Sequence, residues 1–350
     1  KKSLNFCSSL PFEFGKISTV KKAAVEAIEL YGLNADNQCP LKIQLEKKLS
    51  NEYDYPYSTV FSGANICNVA LFTTLATKND YIFYDSSSSK HVLDAISFSK
   101  AKILSYSHVN AIENLEKQVK IVHEKFPNSK KIIVSSSVFI NEGDICQLND
   151  INKIAQSYQC IVVIDDTFGC GYFDGSANNI LEFYKLKGQI DFICGSFSGI
   201  MESNGGFIVY GENQKSFMDL ISKNYERDAI LPNIASAILA SYECLEVPLN
   251  SSIGKINRRL QLFKNMLQWK NGLKKIGLDI PSHSKSATLP IFMPSDDIGM
   301  AVQKALQEEG LYVSYESNER NSVHKYKLLT SIQVNMTKDI IDKALEIIGR

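Results

Sequence analysis

The chain has 350 residues, and its 38 Lys and Arg balance its 38 Asp and Glu, so the formal net charge is zero. That balance argues against a dedicated nucleic-acid binder, which draws affinity from an excess of cations facing phosphate. Hydrophobic residues at 44% and charged residues at 22% exclude a disordered chain and allow a large core.

In chain order, helical periodicity covers residues 20–31, stopping at Gly32, and residues 41–49. A strand is predicted at 58–62, a turn at Gly63 and a helix at 64–76. Strands follow at 81–84 and 103–106, with a helix at 112–123. The β-branched runs 132–134 and 161–164 predict buried strands, with a helix at 148–156 between them. Strands at 190–194 and 206–210 complete a β-α-β alternation, which predicts a mostly parallel sheet covered by helices on both faces. Beyond Pro232 the pattern changes to helices at 234–245, 255–273, 300–309 and 338–348, with strands at 288–293, 312–315 and 327–334. This predicts a smaller α+β lobe. No apolar run reaches the ~20 residues of a membrane helix. The sequence opens at Lys1, which suggests a processed or trimmed product, and it contains no signal peptide.

The eight cysteines, Cys7, Cys39, Cys67, Cys146, Cys160, Cys170, Cys194 and Cys244, form no Cys-x-x-Cys pair. They are expected as buried free thiols in a reducing compartment. His91, His108, His123, His283 and His324 show no metal-ligand spacing. Lys255, Arg258, Arg259 and Lys264 read as a solvated helix face.

In such a sheet, ligands bind beyond the carboxyl ends of the strands. Asp165 and Asp166 follow one strand, where a carboxylate pairs with a buried cation or merely caps a turn. Gly195-Ser196-Phe197-Ser198-Gly199 follows another, and Gly205-Gly206 opens the next. Its hydroxyls and N–H groups suit a phosphate, or the loop is simply tight. Ser62-Gly63-Ala64-Asn65 presents the same two alternatives. No Gly-x-x-x-x-Gly-Lys-Ser/Thr loop is present, so nucleotide hydrolysis has no support.

These loops, in this order, resemble the α-oxoamine synthase branch of the pyridoxal-phosphate fold-type I family over nearly the whole chain. The landmarks are Leu4-Asn5-Phe6, Tyr31-Gly32, Leu45-Glu46, Ser62-Gly63 through Asn68, Asn141-Glu142-Gly143-Asp144-Ile145, Asp165-Asp166, Gly195 to Ser198, Gly205-Gly206 and Leu231-Pro232. The resemblance implies an α/β fold: a three-layer large domain with a mostly parallel sheet and a smaller α+β C-terminal domain. It divides the chain into an N-terminal segment 1–40, a large domain 41–232 and a small domain 233–350. It implies cofactor contacts at Asp165, the partner of the ring nitrogen, and at Ser89, Gly63, Ala64, Asn65, Ser196 and Ser198.

The departures are as telling. The Schiff-base lysine falls at Gly199, the ring-stacking histidine at Ser89, and the histidine of the Asp-Glu-Ala-His loop at Phe168. A Gly-Ser-Arg segment is replaced by residues 34–40, and a carboxylate-binding arginine by Lys327-Leu328-Leu329. The pattern resembles the non-catalytic long-chain-base subunits of serine palmitoyltransferase. These carry Val-Asp-Glu-Thr-Phe-Ser-x-Gly where this chain has Val163 to Gly171, and an Asn-Phe-Ala-Ser start where it has Asn5-Phe6-Cys7-Ser8-Ser9. That resemblance implies a heterodimer whose catalytic long-chain-base subunit 2 holds pyridoxal phosphate covalently. The pair would condense L-serine with palmitoyl-CoA on the cytosolic side of the endoplasmic reticulum, anchored by a membrane segment outside this chain. The alternatives are an active homodimeric α-oxoamine synthase and a non-catalytic scaffold of the same fold.

Overall fold

The computed structural model describes residues 3–8, 10–34, 36, 38–173, 177–225, 229–251, 254–281, 284, 286–317 and 324–350. Lys1, Ser9, His283 and two residues of the 34–40 segment lie outside the described residues. Two compact units emerge: Phe14–Ser137 with Cys146–Glu243, and Lys1–Glu13 with Val138–Ile145 and Cys244–Arg350. The boundaries expected at 40/41 and 232/233 therefore shift. The helix Ser18–Tyr31 belongs to the larger unit, where Ser236 Oγ donates to Ala23 O at 2.9 Å.

The larger unit is built on seven strands: β1 Tyr57–Phe61, β2 Tyr81–Asp85, β3 Lys102–Tyr106, β4 Lys131–Ser136, β5 Ile161–Asp165, β6 Phe192–Ser196 and β7 Gly206–Tyr210. Their order across the sheet is β1-β7-β6-β5-β4-β2-β3. Only β7 is antiparallel to its neighbours, because it returns from β6 through a loop and not through a crossover helix. Ile132, Ile133, Val134, Val162, Val163, Ile164 and Ile193 are buried, as strands covered on both faces require. The β6 strand starts two residues later than expected. The helix Lys90–Ser97, which periodicity did not announce, starts where Ser89 Oγ accepts the Val92 N–H.

The smaller unit holds an antiparallel sheet of β8 Thr288–Met293, β9 Ser314–Ser317 and β10 Tyr326–Ser331, with β10 in the middle. Leu4–Asn5 pairs in parallel with Leu311–Tyr312. Trp269, fully buried, donates from its indole nitrogen to Thr330 Oγ1 at 2.9 Å, and its ring lies 4.7 Å from that of Phe6.

Two expectations fail here. The helix expected from residue 255 begins at Arg258, because Gly254–Asn257 pairs as a strand with Pro248–Ser251 and Asn257 caps the helix. Arg259 is buried and ion-paired with Glu246, so the basic cluster is not a wholly solvated face. All eight cysteines are free and most are buried, but Cys7 is exposed. Among the described residues, no helix is long and apolar enough to cross a membrane, and no cluster of side chains suits a metal ion.

Candidate active site

The site forms where β1, β5, β6 and β7 meet. Sheet register places Phe61, Gly206 and Ser196 in one row. A Cβ on Gly206 would stand 2.7 Å from Ala64 Cα, so glycine is what lets β7 run against the start of the Ala64–Leu75 helix. This sets the helix start at Ala64 against Gly206, the strand partner of Ser196, and the first-turn N–H groups of a helix have no partner within it. Ser196 Oγ lies 2.7 Å from Ser198 Oγ and accepts the Ser198 N–H at 3.1 Å. Ser196 is buried and Ser198 exposed, so the pair leads from the sheet edge to the surface. Hydroxyls and helix-start amides together suit a phosphate.

Asp165 ends β5 and is buried. Its Oδ1 accepts from Thr167 Oγ1 at 2.5 Å and Thr167 N at 3.1 Å, and its Oδ2 from Ser89 Oγ at 3.3 Å. Thr167 Oγ1 in turn accepts the Ser196 N–H at 2.9 Å. A continuous hydrogen-bonded line therefore joins Ser89, Asp165, Thr167, Ser196 and Ser198, five residues that the sequence places on three separate loops. Burial pushes the Asp165 carboxyl above its ordinary range, against the pull of these donors.

Next to Asp165, Asp166 meets a partner that the sequence did not announce. Tyr53 Oη donates to Asp166 Oδ2 at 2.7 Å, and both residues are fully buried. Burial pushes the Asp166 carboxyl up to about 7. Cys170 Sγ lies 3.0 Å from Tyr242 Oη. Burial holds the Cys67 and Cys194 thiols well above their ordinary value and pushes Cys170 to about 12. These thiols are protonated at neutral pH, so none is an activated nucleophile.

Pyridoxal phosphate, the cofactor implied by the sequence resemblance, would need a phosphate cradle, a carboxylate for its ring nitrogen and a lysine for its aldehyde. Gly63, Ala64, Asn65, Ser196 and Ser198 have the chemistry to take a phosphate and Asp165 that to pair with a ring nitrogen, but the covalent anchor does not fit. Gly199 is buried, and a Cβ there would stand 2.1 Å from Thr167 O. Ser89 offers a hydroxyl where a stacking ring is needed, and Phe168 has no hydrogen-bonding group. The residues of this chain thus do not fit a covalently held cofactor.

Lys327 does not take the part of a carboxylate-binding arginine. It is fully buried, and its Nζ donates to Glu142 Oε1 and Asn141 O, each at 2.8 Å. Asn141 Nδ2 also donates to Glu316 Oε1 at 2.8 Å, and burial pushes the Glu316 carboxyl up. The loop at 141–145 was legible as a landmark, but its role in neutralising Lys327 was not.

A model of the aminotransferase class I and II family matches residues 12–348. The 8-amino-7-oxononanoate synthase of Alkaliphilus metalliredigens (strain QYMF) is 25% identical over 99% of this chain and 87% of its own length. The serine palmitoyltransferase of Sphingobacterium spiritivorum is 27% identical over 93% of this chain and 80% of its own length. Among solved structures, a Sphingomonas wittichii serine palmitoyltransferase is similar with a TM-score of 0.88 at 21% identity, covering 100% of this chain and 87% of that one. The 8-amino-7-oxononanoate synthase of Francisella tularensis has a TM-score of 0.80 at 21% identity, covering 99% and 97%. The fold is accordingly the fold-type I aminotransferase-like α/β fold, with a mixed, mostly parallel central sheet.

Proposed function

The chain belongs to the class I and II aminotransferase family, on its α-oxoamine synthase branch, and from that premise we propose that it serves the condensation of an amino acid with an acyl-CoA thioester, with release of CO2 and CoA. Two kinds of relative support this class, 8-amino-7-oxononanoate synthases and serine palmitoyltransferases, and their identities to this chain are similar. Within the class, one observation carries the reading of the chain's role. Position 199 has neither a lysine nor room for one beside Thr167 O. We read the chain as the lysine-free member of a pair. It keeps the anion cradle of Gly63, Ala64, Asn65, Ser196 and Ser198 and the carboxylate of Asp165, and a second chain holds pyridoxal phosphate covalently. The sequence resemblance proposes the catalytic long-chain-base subunit 2 as that chain, L-serine and palmitoyl-CoA as substrates, and the endoplasmic reticulum membrane as the location.

The relatives favour a second reading, an active homodimeric α-oxoamine synthase, since both kinds bear the names of complete enzymes. One preparation separates the two. The full chain is isolated by a gentle pull-down, its companions are identified by mass spectrometry, and the chain alone is assayed with L-serine and palmitoyl-CoA. A stoichiometric lysine-bearing homologue and an inert lone chain support the first reading. Turnover by the lone chain establishes the second. An inert chain with no such homologue leaves the scaffold.

A further inference from the structure

The missing lysine is matched by a change in the packing around it. Gly199 lies in the loop between β6 and β7, and Thr167 lies just beyond β5. An ideal Cβ on Gly199 would stand 2.1 Å from Thr167 O, 2.9 Å from Thr167 C and 2.9 Å from Thr167 Cγ2. Ordinary contacts between carbon atoms sit at ~3.5–4.0 Å, so all three are overlaps and two involve backbone.

Backbone yields only if it is loosely held, and Thr167 is not. Its N–H and Oγ1 both donate to Asp165 Oδ1, at 3.1 and 2.5 Å. Its Oγ1 accepts the Ser196 N–H at 2.9 Å, and its carbonyl accepts the Ile200 N–H at 3.4 Å. The acceptor that fixes it, Asp165, is itself buried at the end of a central strand. The carbonyl oxygen can turn away at the cost of the Ile200 N–H bond, but the N–H and Oγ1 bonds to Asp165 hold the Thr167 Cα and Cβ, so Thr167 C and Cγ2, each 2.9 Å from the added Cβ, cannot withdraw without breaking bonds that satisfy a buried carboxyl.

We propose that Thr167 excludes every side chain from position 199, so that no single substitution returns a Schiff-base lysine to this chain. This rests on the reading of the chain as the lysine-free member of a pair and deepens it. Loss of the lysine is built into the packing of two loops, and Thr167 is the positioning residue that holds it there.

The test uses the full chain with three single substitutions. Gly199→Ala adds one methyl group at the blocked position. Gly15→Ala is the control, because nothing lies within 4 Å of a Cβ there. Gly199→Lys is incubated with pyridoxal phosphate, reduced with borohydride and mapped by mass spectrometry for a pyridoxyl group on residue 199. The expected result is a clear fall in the urea midpoint for Gly199→Ala, none for Gly15→Ala, and no pyridoxyl label at residue 199. An unchanged midpoint for Gly199→Ala overturns the proposal even where the lysine variant fails to fold. So does a folded Gly199→Lys labelled at residue 199. Either outcome leaves the lysine-free reading standing, since that reading falls only if the unaltered lone chain turns over.

Discussion

Replacing Asp166 with asparagine tests whether the folded chain stores a proton next to Asp165. Asp166 is fully buried, accepts a hydrogen bond from Tyr53 Oη at 2.7 Å, and has its carboxyl raised by burial from 3.8 to about 7. A carboxyl raised in the folded state binds a proton that the unfolded chain releases. Its contribution to stability is fully present below about pH 4 and is lost as pH rises through about 7. A displacement of that size corresponds to roughly 4 kcal/mol once the carboxyl ionises. Asparagine keeps an acceptor for Tyr53 and never ionises. Urea unfolding of both chains from pH 4 to 9 reads the difference directly, and the neighbouring Asp165, also raised by burial, is common to both. The variant is expected to gain on the parent steadily from pH 4 to about 7 and to hold a lead of roughly 4 kcal/mol above that. Parallel stability curves would show that Asp166 titrates alike in both states and would refute the argument.

The other expectations concern packing and access. Lys327→Met leaves the part-buried Glu142 without this cation and is expected to cost about 3–5 kcal/mol in urea unfolding. A cost under ~1 kcal/mol would show that the pair contributes little to stability. Gly206→Ala forces a methyl group to 2.7 Å from Ala64 Cα and is expected to lose about 1–3 kcal/mol. Unchanged stability there would show that the helix start is free to move. Cys7 is the exposed thiol, so brief alkylation of the native chain should label it first. Prior labelling of Cys67 or Cys194 would contradict their burial.

The central sheet was legible because its inner strands are short apolar runs, the middle ones rich in β-branched residues. Ile132 to Val134 and Ile161 to Ile164 are clear examples. Asp165 and Ser196 were legible for a related reason, since residues that end strands of an α/β sheet face its ligand edge. Thr167 was not, because its effect comes from a backbone carbonyl that no side-chain pattern announces. Lys327 was legible only as standing where an arginine was expected, since only the fold shows that Glu142 lies against it. The helix starting at Lys90 carried a signal that was passed over: Ser89 stands ahead of it as an N-cap. The two-residue strands were beyond reach, because pairs such as Leu4 with Leu311 depend on contacts far apart in sequence.

That last pairing has a consequence during synthesis. A ribosome adding ~5–20 residues per second delivers Leu311 roughly 15 s to a minute after Leu4. The Phe14–Ser137 and Cys146–Glu243 stretches that make the larger unit emerge well before then. The first strand of the smaller unit therefore waits, unpaired, while the larger sheet closes. Its edge is open to a chaperone or a neighbouring nascent chain for longer than any strand of the seven-stranded sheet.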